Sequence, residues 1–272
     1  LYDAYITGSD QVWNPRINNN DSSWFLTFAP PGKTRIAYAA SFGVSQIPGR
    51  LLAEYSSWLG GIHSLSTREF EGQQIIEQLA GRHAEVVLDP TLLLDPEQWR
   101  EIAVPFKFNR PYLLCYCMPV DKHVTRSIAR AARQVSTLMG WDAIWLGQRE
   151  YMRLHPWRRG IYNAGPAEFL GLLQDASLIV TNSYHGAALA IDFCKPFYVY
   201  ANYGEENANR SNSRIATLLK TFRLEGRLLA ARKDTPQKYD LNLDHQAVAS
   251  ILQEERRRAI DFLRAALEGS GL

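Results

Sequence analysis

The stretch "SLIVTNSYHGAALAIDFCKPFYVY", residues 177–200, decides the fold. It opens with a short apolar run that closes on Thr181, Asn182 and Ser183, which reads as a buried strand ending in a polar turn. A helix rich in small residues begins near Gly186, and "FYVYA" starts the next strand. Strand, turn, helix and strand in close succession make a βα unit of a mainly parallel sheet. In such a sheet ligands bind outside the carboxyl ends of the strands, where the start of a helix offers free N–H groups and the positive end of its dipole. An anion is therefore the expected ligand at this turn. Ser183 can donate its hydroxyl to a phosphate or carboxylate, and Gly186, Ala187 and Ala188 permit close approach of backbone to ligand or of helix to sheet. His185 stands at the mouth of the turn, and imidazole is the side chain most often used for acid-base work near neutral pH.

The same alternation extends along the chain. Strands are expected at "AYIT", "RIAYAAS", "HSLSTRE", "EVVLDP", "YLLCYCM", "DAIWLG", "SLIVTNS" and "FYVYA", with segments of helical period between them. The clearest helices cover residues 122–138, where Val124, Ile128, Ala131, Val135 and Leu138 recur at spacings of three and four, and residues 166–176, which start on Pro166. The prolines and basic residues of "VPFKFNRP", residues 104–111, suggest a boundary. Three parts are expected: residues 1–108, residues 109–240 and a C-terminal helical part, residues 241–272. A charge run at residues 254–258 reads as the solvated face of that last helix.

With 272 residues, 46% of them hydrophobic, the chain can bury a substantial core. A formal charge of +2 is too mild to identify a partner, because nucleic-acid binders usually show a pronounced basic face, so charge alone decides little. Three cysteines, Cys115, Cys117 and Cys194, lie in apolar segments without framework spacing, which favours a reduced, cytoplasmic protein. Cys115 and Cys117 would face one side of a strand, but no further His or Cys pair at finger-like spacing follows, so they read as core thiols and no metal is expected. No apolar run approaches the ~20 residues that a membrane-spanning helix requires.

A second dense motif, "YITGSDQVWNP" at residues 5–15, crowds hydrogen-bonding groups onto the end of a strand. Asp10 can cap a turn or a helix. Trp13 can fill a core, although Gln11 and Asn14 beside it would then need buried partners. The competing reading is a sugar-binding edge, with hydroxyls going to Asp10 and Gln11 and the apolar face of a sugar ring to Trp13. Arg68, at the end of "LSTRE", can clamp a carboxylate or phosphate by its two-pronged guanidinium, or pair with Glu69 or a neighbouring acid. Asp89-Pro90 reads as turn chemistry. The polar segment "YGEENANRSNSRI", residues 203–215, carries Arg210 and Arg214.

Together these motifs resemble the polysaccharide pyruvyl transferase family. The resemblance rests on "YDAYITGSDQVWNP", "IAYAASFG", "LSTRE", "VLDPTLLL" followed by Trp99, and "GPAEFLGLLQDASLIVTNSYHGAALAIDFCKPF", in that order from Tyr2 to about Leu219. It implies an α/β, GT-B-like architecture: two Rossmann-like domains with a cleft between them, and a C-terminal helix packing back toward the N-terminal domain. It further implies an enzyme without cofactor that moves the enolpyruvyl unit of phosphoenolpyruvate onto two hydroxyls of a sugar, forming a cyclic pyruvate ketal and releasing phosphate. His185 and Asp10 would be catalytic, with Asp10 the partner across the cleft. Donor binding would fall to Asn182, Ser183, Tyr184, Gly186, Arg68, Arg210 and Arg214, and acceptor binding to Ser9, Gln11, Trp13 and Ser41. Some family members carry Arg-Leu-His-Gly where this chain has Ser183-Tyr184-His185-Gly186, so the donor charge would come from Arg68, Arg210 or Arg214. The usual acceptors are glycans or lipid-linked oligosaccharides, which implies a cytosolic enzyme in peripheral contact with the inner membrane face, and no nucleic acid.

Two other functions compete. A nucleotide-sugar glycosyltransferase would hold a diphosphate at the same helix start, with Glu205 or Glu206 meeting the donor ribose. A non-catalytic glycan- or anion-binding module would bind ligand regardless of His185 protonation.

Overall fold

The computed structural model describes residues 2–118, 121–147, 159–202, 212–231, 236 and 238–269. Arg210, Glu205 and Glu206 lie outside them. The strands are β1 (Ala4–Thr7), β2 (Thr34–Ala40), β3 (Ser64–Thr67), β4 (Glu85–Val86), β5 (Tyr112–Tyr116), β6 (Asp142–Leu146), β7 (Arg159–Ile161), β8 (Leu178–Thr181), β9 (Phe197–Tyr200) and β10 (Leu228–Leu229). The helices are α1 (Leu52–Gly60), α2 (Phe70–Ala80), α3 (Pro96–Ile102), α4 (Lys122–Met139), α5 (Pro166–Asp175), α6 (Tyr184–Asp192), α7 (Ser213–Thr221) and α8 (His245–Glu268). Each strand expected from the sequence is present. β7 and β10 were not expected, because runs of three and two residues are too short to show a period.

The chain forms two compact units. Among the described residues the first holds 2–93, 212–218 and 253–269, and the second holds the rest. The boundary read near residues 104–111 therefore lies inside the second unit. The physical reason is that α3 packs on α5, with Val104 N–H donating to Ala167 O at 2.9 Å.

In the first unit four parallel strands run in the order β1-β2-β3-β4. Ala37, Leu65, Ile75, Ile76 and Leu59 form one apolar cluster of this unit, and Ile36, on the opposite face of β2 from Ala37, is buried too. Trp13 is wholly buried there, stacked on Phe25 with centroids 5.2 Å apart and rings 3° from parallel. Its indole N–H donates to Trp24 O at 3.1 Å, which gives the buried polar handle the partner it needs. The sheet bulges where β2 shifts register between Ala37 and Ala40. Ser66 patches the gap, donating to Ala37 O and accepting from Ala39 N–H. The later part of α8 rests on this unit through Phe262 beside Tyr38 and the Arg256 guanidinium donating to Leu92 O. Its charge run pairs within itself on the exposed side, Arg257 with Glu254 and Arg258 with Glu255.

In the second unit six parallel strands run in the order β10-β9-β8-β5-β6-β7. From β5 the chain winds outward through β6 to β7, then returns to the other side of β5 and winds through β8 and β9 to β10. The direction of winding reverses between β5 and β8, and in open α/β sheets ligands bind outside the carboxyl ends of the strands at such a point. Cys115 is buried in this core, and the Sγ of half-buried Cys117 lies 3.4 Å from Thr125 Oγ1. No described helix is long and apolar enough to cross a membrane.

Candidate functional site

The segment 181–186 sits at the reversal point of the second sheet. Strand β8 ends at Thr181, whose hydroxyl donates to Tyr116 O at the end of β5 at 2.7 Å and accepts from Ser183 N–H at 2.9 Å. Asn182 is wholly buried and spans three strand ends. Its Oδ1 accepts from Met118 N–H at 2.7 Å, and its Nδ2 donates to Met118 O at 3.0 Å and Asn202 Oδ1 at 2.7 Å. Asn202 returns a bond to Asn182 O. With both amide protons committed, Asn182 clamps the ends of β5, β8 and β9 together.

Ser183 caps α6, its hydroxyl accepting from Gly186 N–H at 3.3 Å, as a helix start needs. A side chain at Gly186 would put its Cβ 2.8 Å from Thr181 Oγ1 and 3.1 Å from the Tyr116 ring, so this glycine is required by the close approach of helix to sheet. Tyr184 is buried, and its ring meets that of His185 edge to face at 5.4 Å. Burial raises the Tyr116 phenol above its ordinary value, and its contact with Ser183 partly offsets this. His185 is half-buried on the first turn of the nine-residue α6. It is not walled into the apolar core. A histidine that can shuttle a proton thus stands where the helix dipole favours an anion.

A second cluster gathers at the carboxyl ends of the strands of the first unit. Gly8, Ser9, Asp10 and Gln11 follow β1, Ser41 and Gly43 follow β2, Arg68 and Glu69 follow β3, and Asp89 follows β4. The Arg68 side chain is fully buried. One of its terminal nitrogens donates to Asp89 Oδ2 at 2.6 Å and the other to Asp10 Oδ1 at 2.5 Å. Asp89 also accepts from Ser9 Oγ at 2.8 Å, and from the Thr91 N–H and hydroxyl at 3.1 and 2.8 Å. Arg214, from the first turn of α7, reaches within 3.9 Å of Asp10 Oδ1. With its amide oxygen facing that guanidinium, Gln11 accepts from it at 3.1 and 3.3 Å. Of the expected site residues, the first unit therefore brings together Ser9, Asp10, Gln11, Arg68 and Arg214.

Two expected acceptor ligands are corrected. Trp13 is sealed under Phe25 and Phe42, so neither ring face is open to a sugar. Ser41 is wholly buried and donates to Glu69 Oε1 at 2.9 Å. Both serve the core, because the chain after β1 dives under the sheet edge, with Trp13 N–H donating to Ser41 O at 3.1 Å.

Glu69, expected as a possible ion-pair partner of Arg68, instead turns its carboxylate to Ser41 and the backbone after β2, while Arg68 pairs with Asp89 and Asp10. The Glu69 Oε1 also accepts from Phe42 and Gly43 N–H at 2.8 and 3.2 Å. Burial pushes its carboxyl up, against the lowering pull of Arg68, Arg214 and its hydrogen-bond donors. A carboxyl whose folded value exceeds the unfolded one binds more protons when folded, so its contribution to stability is full below the unfolded value. That contribution is lost as pH rises through the folded value. The first unit should therefore lose stability as pH rises from about 4.5 through the raised Glu69 value. Urea melts of Glu69→Gln, which keeps an acceptor oxygen, should show a shallower slope there. An unchanged slope would remove Glu69 as its source.

The polysaccharide pyruvyl transferase family matches residues 1–203. Among curated proteins, none matches the chain. A solved structure assigned as a UDP-N-acetylglucosamine 2-epimerase from Listeria monocytogenes is similar over 96% of this chain, at TM-score 0.54 and 10% identity. The chain spans 66% of that protein's length. The UDP-GlcNAc 2-epimerase of Methanocaldococcus jannaschii is similar over 92% of this chain and 74% of its own, at TM-score 0.44 and 13% identity. At 10% identity the likeness to the Listeria structure concerns the fold alone, α/β with two parallel sheets.

Proposed function

The chain belongs to the polysaccharide pyruvyl transferase family, and from that premise we propose that it transfers the enolpyruvyl unit of phosphoenolpyruvate to two hydroxyls of one sugar. The acceptor is a sugar of an exopolysaccharide or capsule glycan, or of its lipid-linked precursor met at the inner face of a membrane. The observation that carries this reading is His185, half-open on the first turn of α6 at the reversal point of a parallel sheet. Phosphoenolpyruvate brings a phosphate and a carboxylate, which suit that helix start.

The chemistry asks for few groups. A proton delivered to the methylene carbon makes it a methyl and leaves an oxocarbenium-like centre at the neighbouring carbon. One acceptor hydroxyl adds there and loses its proton, phosphate departs, and the second hydroxyl closes the ketal with loss of its own proton. The products are the ketal and inorganic phosphate, and no oxidant is consumed. His185 is assigned the donor proton and Asp10 the proton of an acceptor hydroxyl, roles in which placed acid-base groups contribute about 10²–10⁴-fold.

The test is phosphate release and ketal formation, the latter followed by the methyl signal in NMR, with phosphoenolpyruvate and a panel of galactosyl and related glycans. No ketal across a broad panel with intact fold would overturn the proposal. Calorimetry with nucleotide sugars in place of phosphoenolpyruvate tests the glycosyltransferase alternative, which relied on Glu205 and Glu206. Binding that is indifferent to the His185 protonation state would favour a glycan-binding module.

A further inference from the structure

We infer that Arg68, anchored by Asp89, is a positioning residue that aims the Asp10 carboxylate toward the acceptor and does not itself bind the donor. The inference rests on the proposed pyruvyl transfer and assigns the first unit's cluster to the acceptor half of that reaction.

Burying a guanidinium is costly unless its donors are met by well-placed acceptors. Asp89 meets one end of Arg68 and is itself 1% exposed, with its oxygens occupied by Arg68, Ser9 and Thr91. That arrangement fixes the plane of the guanidinium. Its other end then points at Asp10 Oδ1, and Asp10 is a different kind of residue: its side chain is 61% exposed. An exposed ion pair ordinarily contributes little, since water competes and two flexible side chains must be held. Here one partner is already rigid, so the fork orients Asp10 with little further ordering. The backbone is arranged to the same end. Asp10 holds φ +60, in the left-handed region that non-glycine residues seldom occupy, and its carbonyl accepts from Ser41 N–H at 2.9 Å. Such conformations persist where the surroundings impose them, and they cluster at functional sites.

The same geometry argues against the donor role expected for Arg68. An incoming phosphate or carboxylate would reach this guanidinium only by displacing Asp10 or Asp89. Arg214, 15% exposed on its side chain and 3.9 Å from Asp10 Oδ1, is the cation of the cluster nearer to solvent.

The experiment compares wild type, Arg68→Lys and Asp89→Asn, each checked for fold by circular dichroism, with donor and acceptor concentrations varied separately. Two variants are used because either buried substitution alone can prevent folding. The expected result is a fall of about 10–100-fold in kcat/KM for the acceptor, the size of effect that a misplaced reacting group produces, with the KM for phosphoenolpyruvate within about twofold of wild type. A tenfold rise in that KM with acceptor terms unchanged would make Arg68 a donor ligand and overturn the inference. So would tighter phosphoenolpyruvate binding in Asp10→Asn, since Asp10 would then be an internal occupant of the donor's anion site.

A second readout needs no turnover. The Asp10 carboxyl faces Arg68 from β3 and Arg214 from α7, with Asp89 and Glu69 behind Arg68. Its carbon-13 titration should move to higher pH in Arg68→Gln. An unmoved titration would show that Arg68 does not hold Asp10 and would sink the positioning role even if wild type makes no ketal. A wild type without ketal activity whose Asp10 titration does move would sink the proposed function, and with it the acceptor role of the cluster, while the hold of Arg68 on Asp10 would stand.

Discussion

His185→Ala is expected to lower ketal formation by about 10²–10⁴-fold, the range lost when a placed general acid is removed, while the protein stays folded. The reason lies in the position of the ring. It is half-buried on the first turn of α6 and meets Tyr184 edge to face, so deletion costs about 0.5–1.5 kcal/mol of aromatic contact. For a unit of this size that corresponds to a melting shift of only a few degrees. A core histidine would behave in the opposite way, losing several kcal/mol and activity only through unfolding. Steady-state phosphate release, NMR detection of the ketal and a thermal melt on the same sample separate the two outcomes. A collapse in melting temperature matched by loss of activity would make His185 structural. Retained activity would pass the proton to another group.

The largest effect on stability is expected from Gly8→Ala. Gly8 carries the chain from β1 into the Ser9–Asp10–Gln11 turn at φ +115, a conformation that L side chains rarely adopt. An added Cβ would lie 2.0 Å from Tyr38 O, on the backbone of the neighbouring strand β2. The obstacle is a strand carbonyl within a parallel ladder and not a flexible side chain, so relief requires β1 to part from β2. Overpacking of this kind costs about 1–3 kcal/mol or more, and the forced backbone adds about 1–3 kcal/mol. The first unit should therefore unfold roughly 5–20 °C earlier. Because the chain has two units, the melt should be followed by probes in each. A Gly8→Ala protein with an unchanged first transition would show that β1 does not hold this register.

Much of the site was legible because strand ends and helix starts write themselves locally. The turn after β8 was placed by its apolar run, its capping serine and the small residues behind it, all within about ten positions. The cluster of the first unit was half legible. Ser9, Asp10, Gln11 and Arg68 stand out as polar groups at predicted strand ends and Arg214 in the polar segment 203–215, yet the reading divides them among catalytic, donor and acceptor roles. Asp89 was read as a turn residue, which it is, but it also anchors Arg68. Trp13 reads as a sugar ligand because an indole beside amides looks the same in a sequence whether it faces solvent or core, and Ser41 is assigned to the acceptor only through the resemblance.

What the sequence determined by itself was the alternation of strand and helix, and with it two parallel sheets and the placement of His185 at a strand-to-helix turn. Hydrophobic period is a property of neighbouring residues, so it survives the absence of coordinates. What only the tertiary structure decided was partnership. The β5–β8 pairing that sets Leu113 opposite Leu178, the burial of Trp13, and the direction in which Arg68 points all depend on chain segments far apart in sequence. Arg68 finds Asp89 21 residues away and Asp10 58 residues away. A buried charge takes whichever partners the assembled sheet presents, and no local pattern records that choice.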